Sequence, residues 1–548
     1  MSESPRRLWA ALVLVHLSGL VALIWWLLTA ATPVPMPGLQ LGAGEKLRCV
    51  SYAPFHRPGQ TPFDPDTVIP RAQIEADLRA LAPITDCVRL YSIDMGLDQV
   101  PELARQLGLK VLLGAWIGYD REKNTLILDR AIELANTHPD VVGALIVGNE
   151  VLLRREQSVD ELRALITYAR ERTSLPVTYA DVWEFWLKND SLADAVDFIT
   201  IHILPFWEDE PVDIALALEH VVATRAKVKA HFGGKPLLIG ETGWPGAGRQ
   251  REASLPSRVN QARFVREFVH LAHAQGWNYN LIEAIDQPWK RRLEGTVGGY
   301  WGMLDADTLQ PNFPLAGPVA ERDSIQAPLV GGAIGAVLAL CLALIGRVRP
   351  FQPLRLAAVT LVGANCGLIA VLHAEHAWLA YRDMIEWLAL GAVAFAAVLV
   401  GLVLARWQGK RLLPADLAWQ RIKKREWVHK GVAAEWLALL RGFILFAAAI
   451  AALLLFVDPR YRDFPNLLYL APATVYGVIS WQRGGEFSRS ERLCATLITL
   501  CVLGRWMMEP LNPQAVLWLL TGLALAWPVL DQRFTRHYLP AQEDKQAE

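Results

Sequence analysis

Apolar residues in this chain are gathered into runs of bilayer length, with one long stretch between them that has none. Residues 8–30 are almost entirely apolar. Further runs fall at about 329–346, 354–374, 385–405, 436–457, 465–481, 493–508 and 514–530. A helix needs about 20 apolar residues to cross the hydrocarbon core of a membrane. The pattern therefore gives about eight spans and divides the chain in order. A tip and anchor occupy 1–31, a Pro- and Gly-rich linker 32–46, and a soluble unit 47–320. An all-α transmembrane bundle of about seven helices follows at 329–530, then a tail at 531–548. The first run is longer than the core of a signal peptide. Ala30-Ala31-Thr32 leaves a cleavage site open, but the length favours an uncleaved anchor with Trp25 and Trp26 near the outer interface.

Loop charges orient the spans. Arg6 and Arg7 precede the anchor. Arg347, Arg349 and Arg355 follow the first later run, and residues 406–430 hold Arg406, Lys410, Arg411, Arg421, Lys423, Lys424, Arg425 and Lys430. Arg483, Arg489 and Arg492 come next, then Arg533 and Arg536. The alternate loops are poor in Lys and Arg. By the positive-inside rule both termini are cytoplasmic and the soluble unit is outside. The basic segment 406–430 is an orientation and lipid-headgroup feature, with a cytoplasmic partner site as the alternative. Of the polar residues near the spans (Asn365, His373, Glu435, Arg441 and Arg505), those at span ends can snorkel, and a polar path through the bundle is the weaker idea.

Within 47–320 short apolar runs alternate with amphipathic stretches. Strands are expected at Leu47–Pro54, Cys87–Ser92, Lys110–Gly118, Val141–Val151, Pro176–Trp183, Phe198–Phe206, Pro236–Trp244 and Tyr279–Asp286. Helices are expected at Arg71–Leu81, Leu126–Thr137, Val159–Thr173, Ile214–His231 and Arg258–Gln275. Eight strand–helix units in about 270 residues fit an α/β (β/α)8 TIM barrel. A doubly wound open sheet is the runner-up, but Tyr52-Ala53-Pro54-Phe55 is not the glycine loop that would follow its first strand.

Two of these strands end in a glutamate. Ala144–Val151 reads ALIVGNEV and Leu237–Pro245 reads LLIGETGWP. Glycoside hydrolysis needs such a pair of carboxylates flanking the scissile bond. In a TIM barrel the chemistry collects at the carboxyl ends of the strands. The ends here also carry Tyr52, Tyr91, Trp116, Tyr119, Asn149, Tyr179, Asp181, His202, Trp207, Trp244, Gln287 and Trp289. Taken together they read as a sugar groove, with aromatic faces for pyranose rings and polar groups for hydroxyls. Taken singly, an aromatic can equally pack in the core. Glu283 is read as an inward carboxylate that supports a neighbour or binds substrate, and Arg89 as a partner of a strand-end carboxylate.

GNEV and GETGWP resemble the two active-site motifs of glycoside hydrolase family 17, the β-1,3-glucanase family, over roughly residues 47–315. The resemblance implies a retaining mechanism with Glu150 as acid/base, Glu241 as nucleophile and Asn149 on the substrate 2-hydroxyl. It implies no metal and no cofactor. Asp286-Gln287-Pro288-Trp289 resembles the strand-8 segment of bacterial relatives, with the Trp facing the groove. One departure is Gly246, where the family usually has Ser or Thr. Membrane-bound bacterial members resemble transferases that branch or cyclise β-1,3-glucan with β-1,6 links.

The partners implied are a β-glucan oligo- or polysaccharide and the lipid bilayer, with a membrane β-glucan synthase as a candidate. The location implied is a bacterial inner membrane, with the catalytic unit periplasmic. An endo-β-1,3-glucanase and a non-catalytic glucan-binding or export protein are the alternatives. A net charge of −1 gives no bulk basic character for nucleic acid. No zinc-type Cys/His spacing and no phosphate-binding glycine loop occurs. Cys49 and Cys87 fall at the starts of the first two strands. They are expected to be free thiols, because bridges between adjacent parallel strands are geometrically awkward.

Overall fold

The computed structural model describes residues 4–39, 41, 44–345, 352–424 and 432–531. Arg347, Arg349, Arg425, Lys430, Arg533, Arg536 and residues 532–548 of the tail lie outside the described residues. The chain forms two compact units, 33–321 and 1–32 with 322–548.

The first unit is a closed barrel of eight parallel strands in sequential order. In chain order it contains β1 Val50–Ser51, α2 Arg71–Leu81, β2 Cys87–Arg89, α3 Val100–Gln106, β3 Lys110–Ala115, α4 Arg121–Thr137, β4 Val142–Asn149 and α5 Val159–Arg170. It continues with β5 Val177–Val182, α6 Trp183–Lys188, β6 Ile199–His202, α7 Ile214–Phe232, β7 Leu237–Thr242, α8 Arg258–Ala274, β8 Asn278–Leu281 and α9 Arg291–Glu294. The (β/α)8 expectation is met, and α2 has the expected bounds. Most strands are shorter than expected because their apolar runs outlast the ladder. Beyond the last paired residue the chain turns off to build the rim. Several helices start where a side chain satisfies free N–H groups: Asp120 caps α4, Ser257 caps α8, and Ser158 with Glu161 forms a capping box on α5. Part of the linker joins this unit, with Val34 bridging Val319 and Leu39 N donating to Leu315 O.

Cys49 and Cys87 form a disulfide, contrary to the free thiols expected. Val50 pairs with Val88, which sets the two cysteines opposite each other at the strand starts with Cα atoms 4.3 Å apart.

The second unit is all helical: α1 Ser4–Ala30, α10 Gln326–Ile345, α11 Pro353–Ala380, α12 Met384–Arg406, α13 Ala415–Lys423, α14 Ala433–Val457, α15 Asn466–Arg483, α16 Arg489–Met508 and α17 Pro513–Leu530. Each expected apolar run is a helix. Six of them, α1, α10, α11, α12, α14 and α17, are long and apolar enough to cross a membrane. Helices α15 and α16 run 18 and 20 residues but carry polar groups such as Asn466, Gln482, Glu491 and Arg505. Several polar residues in this unit are paired with one another or with backbone. Arg441 Nε donates to Glu491 over 2.9 Å, Asn365 to His16 O over 2.9 Å, and Arg505 pairs with Glu509 at 2.5 Å.

Helices α10 and α11 meet backbone to backbone. A Cβ on Gly335 would lie 2.2 Å from Gly363 O, and one on Gly367 would lie 2.1 Å from Gly331 O. Small residues permit such close approach between apolar helices, where no hydrophobic effect drives association. Gly335→Leu is expected to cost about 1–3 kcal/mol by overpacking. Gly391→Leu on α12, where an added Cβ meets nothing within 4 Å, is the control. Melting of the detergent-solubilised chain checks this: only the first substitution should lower the transition.

Candidate active site

Both glutamates reach the mouth of the barrel through local irregularities. The β4–β5 register slips between Ile146 and Asn149. Gly148 then takes φ +84°, where its missing side chain also avoids Val151 Cγ2, and Glu150 takes φ +53°. A left-handed glutamate is uncommon and strained, and such residues cluster at functional sites. Gly240 precedes Glu241 because a Cβ there would lie 2.4 Å from Thr200 Cγ2. Gly246, where the family usually has Ser or Thr, has the same kind of reason: a Cβ would lie 2.6 Å from Gln261 Oε1.

One carboxylate oxygen of Glu150, one of Glu241 and a ring nitrogen of His202 lie within 4.8 Å of one another. His202 Nδ1 is 2.8 Å from Glu150 Oε1, and its Nε2 is 3.6 Å from Glu241 Oε1. Arg89, buried on β2, ties three strands together. It donates to Gly240 O over 2.7 Å, to Glu241 Oε1 over 3.2 Å and to Asn149 Oδ1 over 2.5 Å. That leaves Asn149 Nδ2 as the amide's donor. A proton chain also ends on Glu241. Asn280 Nδ2 lies 2.7 Å from Ser51 Oγ, Ser51 lies 2.8 Å from the Tyr91 hydroxyl, and that hydroxyl lies 2.9 Å from Glu241 Oε1. A carboxylate only accepts, so Tyr91 gives it its one hydrogen and accepts from Ser51. Burial, and next the charge of Glu241, push the Tyr91 pKa far up, which keeps that hydrogen in place.

Glu150 departs from expectation. An acid catalyst is expected to have a raised pKa. Burial does push Glu150 up, but the hydrogen bond and charge of His202, with Arg154 and Arg89, outweigh it and hold the carboxyl below its ordinary value.

The other expected groove residues divide. Tyr91, Asn149 and His202 are at the carboxylates, but His202 is 1% exposed and lies between the two glutamates, not on a sugar wall. Trp116 is on the rim with the Arg154 guanidinium 4.2 Å over its ring. Tyr119 is 71% exposed beside a groove of ≈ 660 Å³, which Leu152, Arg155, Glu156 and Phe185 also line. That groove follows directly on Glu150 and does not enclose the carboxylates. Trp289 is half-buried in an aromatic group with Phe55 and exposed Phe63. Trp207 stacks on Trp301 at 6.3 Å.

Tyr52, Tyr179, Asp181, Trp244 and Gln287 are not groove residues. Tyr52 turns inward to Asp77 at 2.8 Å. The Tyr179 hydroxyl donates to Asp181. Trp244 is fully buried against Phe206 and Phe264 and donates to Leu255 O over 3.0 Å. Gln287 donates to Ala53 O over 2.6 Å and receives the Trp289 indole N–H over 2.7 Å. In each case a buried polar atom takes the partner that burial demands.

Lys290 and Glu294 were not anticipated. Lys290 Nζ lies 3.0 and 3.1 Å from the oxygens of fully buried Glu283. Burial pushes Glu283 up to about 7 although Lys290 pulls it down. Burial works against the Lys290 charge, but Glu283 and Glu294 outweigh it and raise its pKa to about 12. The signal was available in Glu283, since a carboxylate buried at a strand end needs a cation.

Asp181 yields a pH prediction. Burial pushes its pKa up to about 6, with the charge of Glu150 adding to the rise. The unfolded value is about 3.9. Between the two the folded chain holds the proton more tightly, so this contribution is complete below about pH 4 and lost as pH rises through about 6. The loss is up to about 3 kcal/mol. Unfolding of wild type and Asp181→Asn from pH 4 to 7 should show the wild type alone losing this part.

Residues 49–302 match the family of the BtgE/BtgC glycoside hydrolase domain. The chain is 29% identical over 262 residues to a glucan 1,3-beta-glucosidase of Arthroderma benhamiae, a match covering 44% of this chain and 84% of that protein. It is 26% identical over 261 residues to a glucan 1,3-beta-glucosidase of Saccharomyces cerevisiae, covering 42% and 80%. A solved glycoside hydrolase family 17 beta-1,3-glucanosyltransferase from Rhizomucor miehei is 23% identical, covers 49% of this chain and 97% of its own, and has a TM-score of 0.43. The barrel of this chain is a glycoside hydrolase domain, similar to the BtgE/BtgC domain and to glucan 1,3-beta-glucosidases.

Proposed function

We propose that this chain is a membrane-anchored retaining glucanosyltransferase that acts on β-1,3-glucan at the outer face of a bacterial inner membrane. The observation that carries the reading is the carboxylate pair, oxygens within 4.8 Å across the mouth of a closed barrel. Retaining enzymes space their carboxyl groups about 5–5.5 Å apart, against about 6.5–9.5 Å for inverting ones. In this reading Glu241, oriented by Arg89 and Tyr91, attacks the anomeric carbon. Glu150 protonates the leaving oxygen and then deprotonates the acceptor. Because His202 holds Glu150 low in the free protein, the acid is charged with its proton as substrate displaces water from the mouth.

Transfer over hydrolysis is supported by the rim. Aromatic rings stand on both sides of the mouth, Trp116 and Tyr119 after β3 and Trp289 with Phe63 at β8 and β1. An acceptor held in line gains several kcal/mol of orientation over water. Six helices among the described residues are long and apolar enough to anchor the chain in a bilayer, the place where exported glucan emerges. The charge pattern puts both termini inside, and this survives whether α15 and α16 both cross or neither does, because the count stays even. A reporter fused after Gln40 should be active outside, and one after Lys424 active inside.

The test of the function is incubation with an end-labelled β-1,3-gluco-oligosaccharide, followed by mass and linkage analysis. Products longer than the donor, with new β-1,3 or β-1,6 links, are expected. Only shorter products at every acceptor concentration would make the protein an endo-β-1,3-glucanase. No turnover at all would favour a binding or export role.

A further inference from the structure

We propose that Tyr179, oriented by Asp181, is a positioning residue for Glu150: its hydroxyl fixes the backbone turn that carries the general acid to the mouth of the barrel. The inference rests on reading Glu150 as the acid/base. Glu150 holds a left-handed backbone at φ +53°. A non-glycine residue keeps such a conformation only where its surroundings over-determine it. Here two neighbouring residues of β5 do so. Ala180 O accepts from Glu150 N over 2.8 Å, and the Tyr179 hydroxyl accepts from Leu152 N over 3.0 Å. The chain is thus pinned to one strand on both sides of Val151, and the left-handed glutamate lies at the first pin.

The hydroxyl is itself aimed. Asp181 is fully buried and takes two donors, Val182 N over 2.7 Å and the Tyr179 hydroxyl. Above about pH 6 it is a carboxylate, which only accepts. Tyr179 therefore gives Asp181 its one hydrogen and turns a lone pair to Leu152 N. Burial, and next the charge of Asp181, push the Tyr179 pKa far up, so that hydrogen stays in place. The ring is set against Trp186, with centroids 5.6 Å apart. Glu241 is held separately, by Arg89 and Tyr91. Loss of the Tyr179 hydroxyl therefore misplaces the acid and spares the nucleophile. The turn keeps another tie, because Arg154 donates to Ile117 O over 3.0 Å and to Asn149 O.

The test uses the full-length detergent-solubilised protein and two donors. The sugar leaving group of a β-1,3-gluco-oligosaccharide must be protonated as it departs, whereas that of an activated aryl β-glucoside needs no acid. Single-turnover release of the aryl group reads the first step alone. Tyr179→Phe keeps the ring and removes the hydroxyl. It should lower kcat on the oligosaccharide about 10- to 100-fold, the scale of a small misplacement of a catalytic group. Aryl release should stay close to wild type. Asp181→Asn offers one acceptor to two donors and should show the same split at smaller size. General damage to the barrel slows both donors alike, so an equal loss on both overturns the proposal. Undiminished oligosaccharide turnover in Tyr179→Phe overturns it too. Should that variant fail to fold, Asp181→Asn decides on the same two rates. An active wild type whose variants show no split sinks this inference and leaves the glucan reading; a wild type inert to both donors removes both.

Discussion

Replacement of Glu241 by alanine is expected to abolish turnover, a fall of about 10⁴-fold or more in kcat with the fold intact. The size follows from losing the nucleophile of a covalent mechanism, since residues that act as a unit fail together. Glu241 receives Arg89 and Tyr91 and lies beside His202, so the site has no second carboxylate equally placed to attack. Glu283 is buried and held by Lys290. Glu150→Ala should behave differently. Loss of a general acid costs about 10²–10⁴-fold. A donor with a good leaving group needs no acid in the first step, so azide should partly restore its turnover. Kinetics on an activated aryl glucoside donor checks both, and wild-type turnover in either variant contradicts the role assigned.

Arg89→Ala is expected to produce the largest loss of stability among the site residues. The guanidinium joins β2 to the carbonyl and carboxylate of β7 and to the Asn149 amide at the end of β4. Removing one partner of a buried pair leaves an uncompensated charge and costs about 3–5 kcal/mol. Activity should fall too, because Glu241 loses a positioning contact and the Asn149 amide is freed to turn. Arg89→Lys should recover little: a point charge cannot bond three acceptors in a fixed fork. Unfolding of the soluble transition, read with kcat and KM, checks this. A variant as stable as wild type would mean that the barrel mouth does not depend on this pairing.

The barrel was legible because eight apolar strand runs alternate with amphipathic helices. The carboxylates were legible because each ends such a run within two residues of a glycine. The orientation of the remaining strand-end residues was less so. Alternation assigns faces only while the ladder holds, and the register slips at the ends of β4 and β7. Past the slip Trp244 turns into the core, while Glu150 reaches the mouth through a left-handed backbone that no periodicity announces. Gln287 and Trp289 show the same limit within three residues: one is buried to fix the other. His202 read as a groove residue because its strand-end place was visible and its two carboxylate neighbours, from β4 and β7, were not. The membrane helices were legible as elements, whereas the close seam of Gly331, Gly335, Gly363 and Gly367 depends on two helices meeting.

The central claim is that Glu241 forms a covalent glycosyl-enzyme. Incubation with a 2-deoxy-2-fluoro β-glucosyl donor bearing an activated leaving group slows the second step and traps that species. Peptide mass spectrometry should then find the fluorosugar on the peptide containing Glu241, with none in Glu241→Ala. A label on Glu150 or elsewhere would contradict the account, as would an unlabelled protein that turns over natural glucan with inversion at the anomeric carbon.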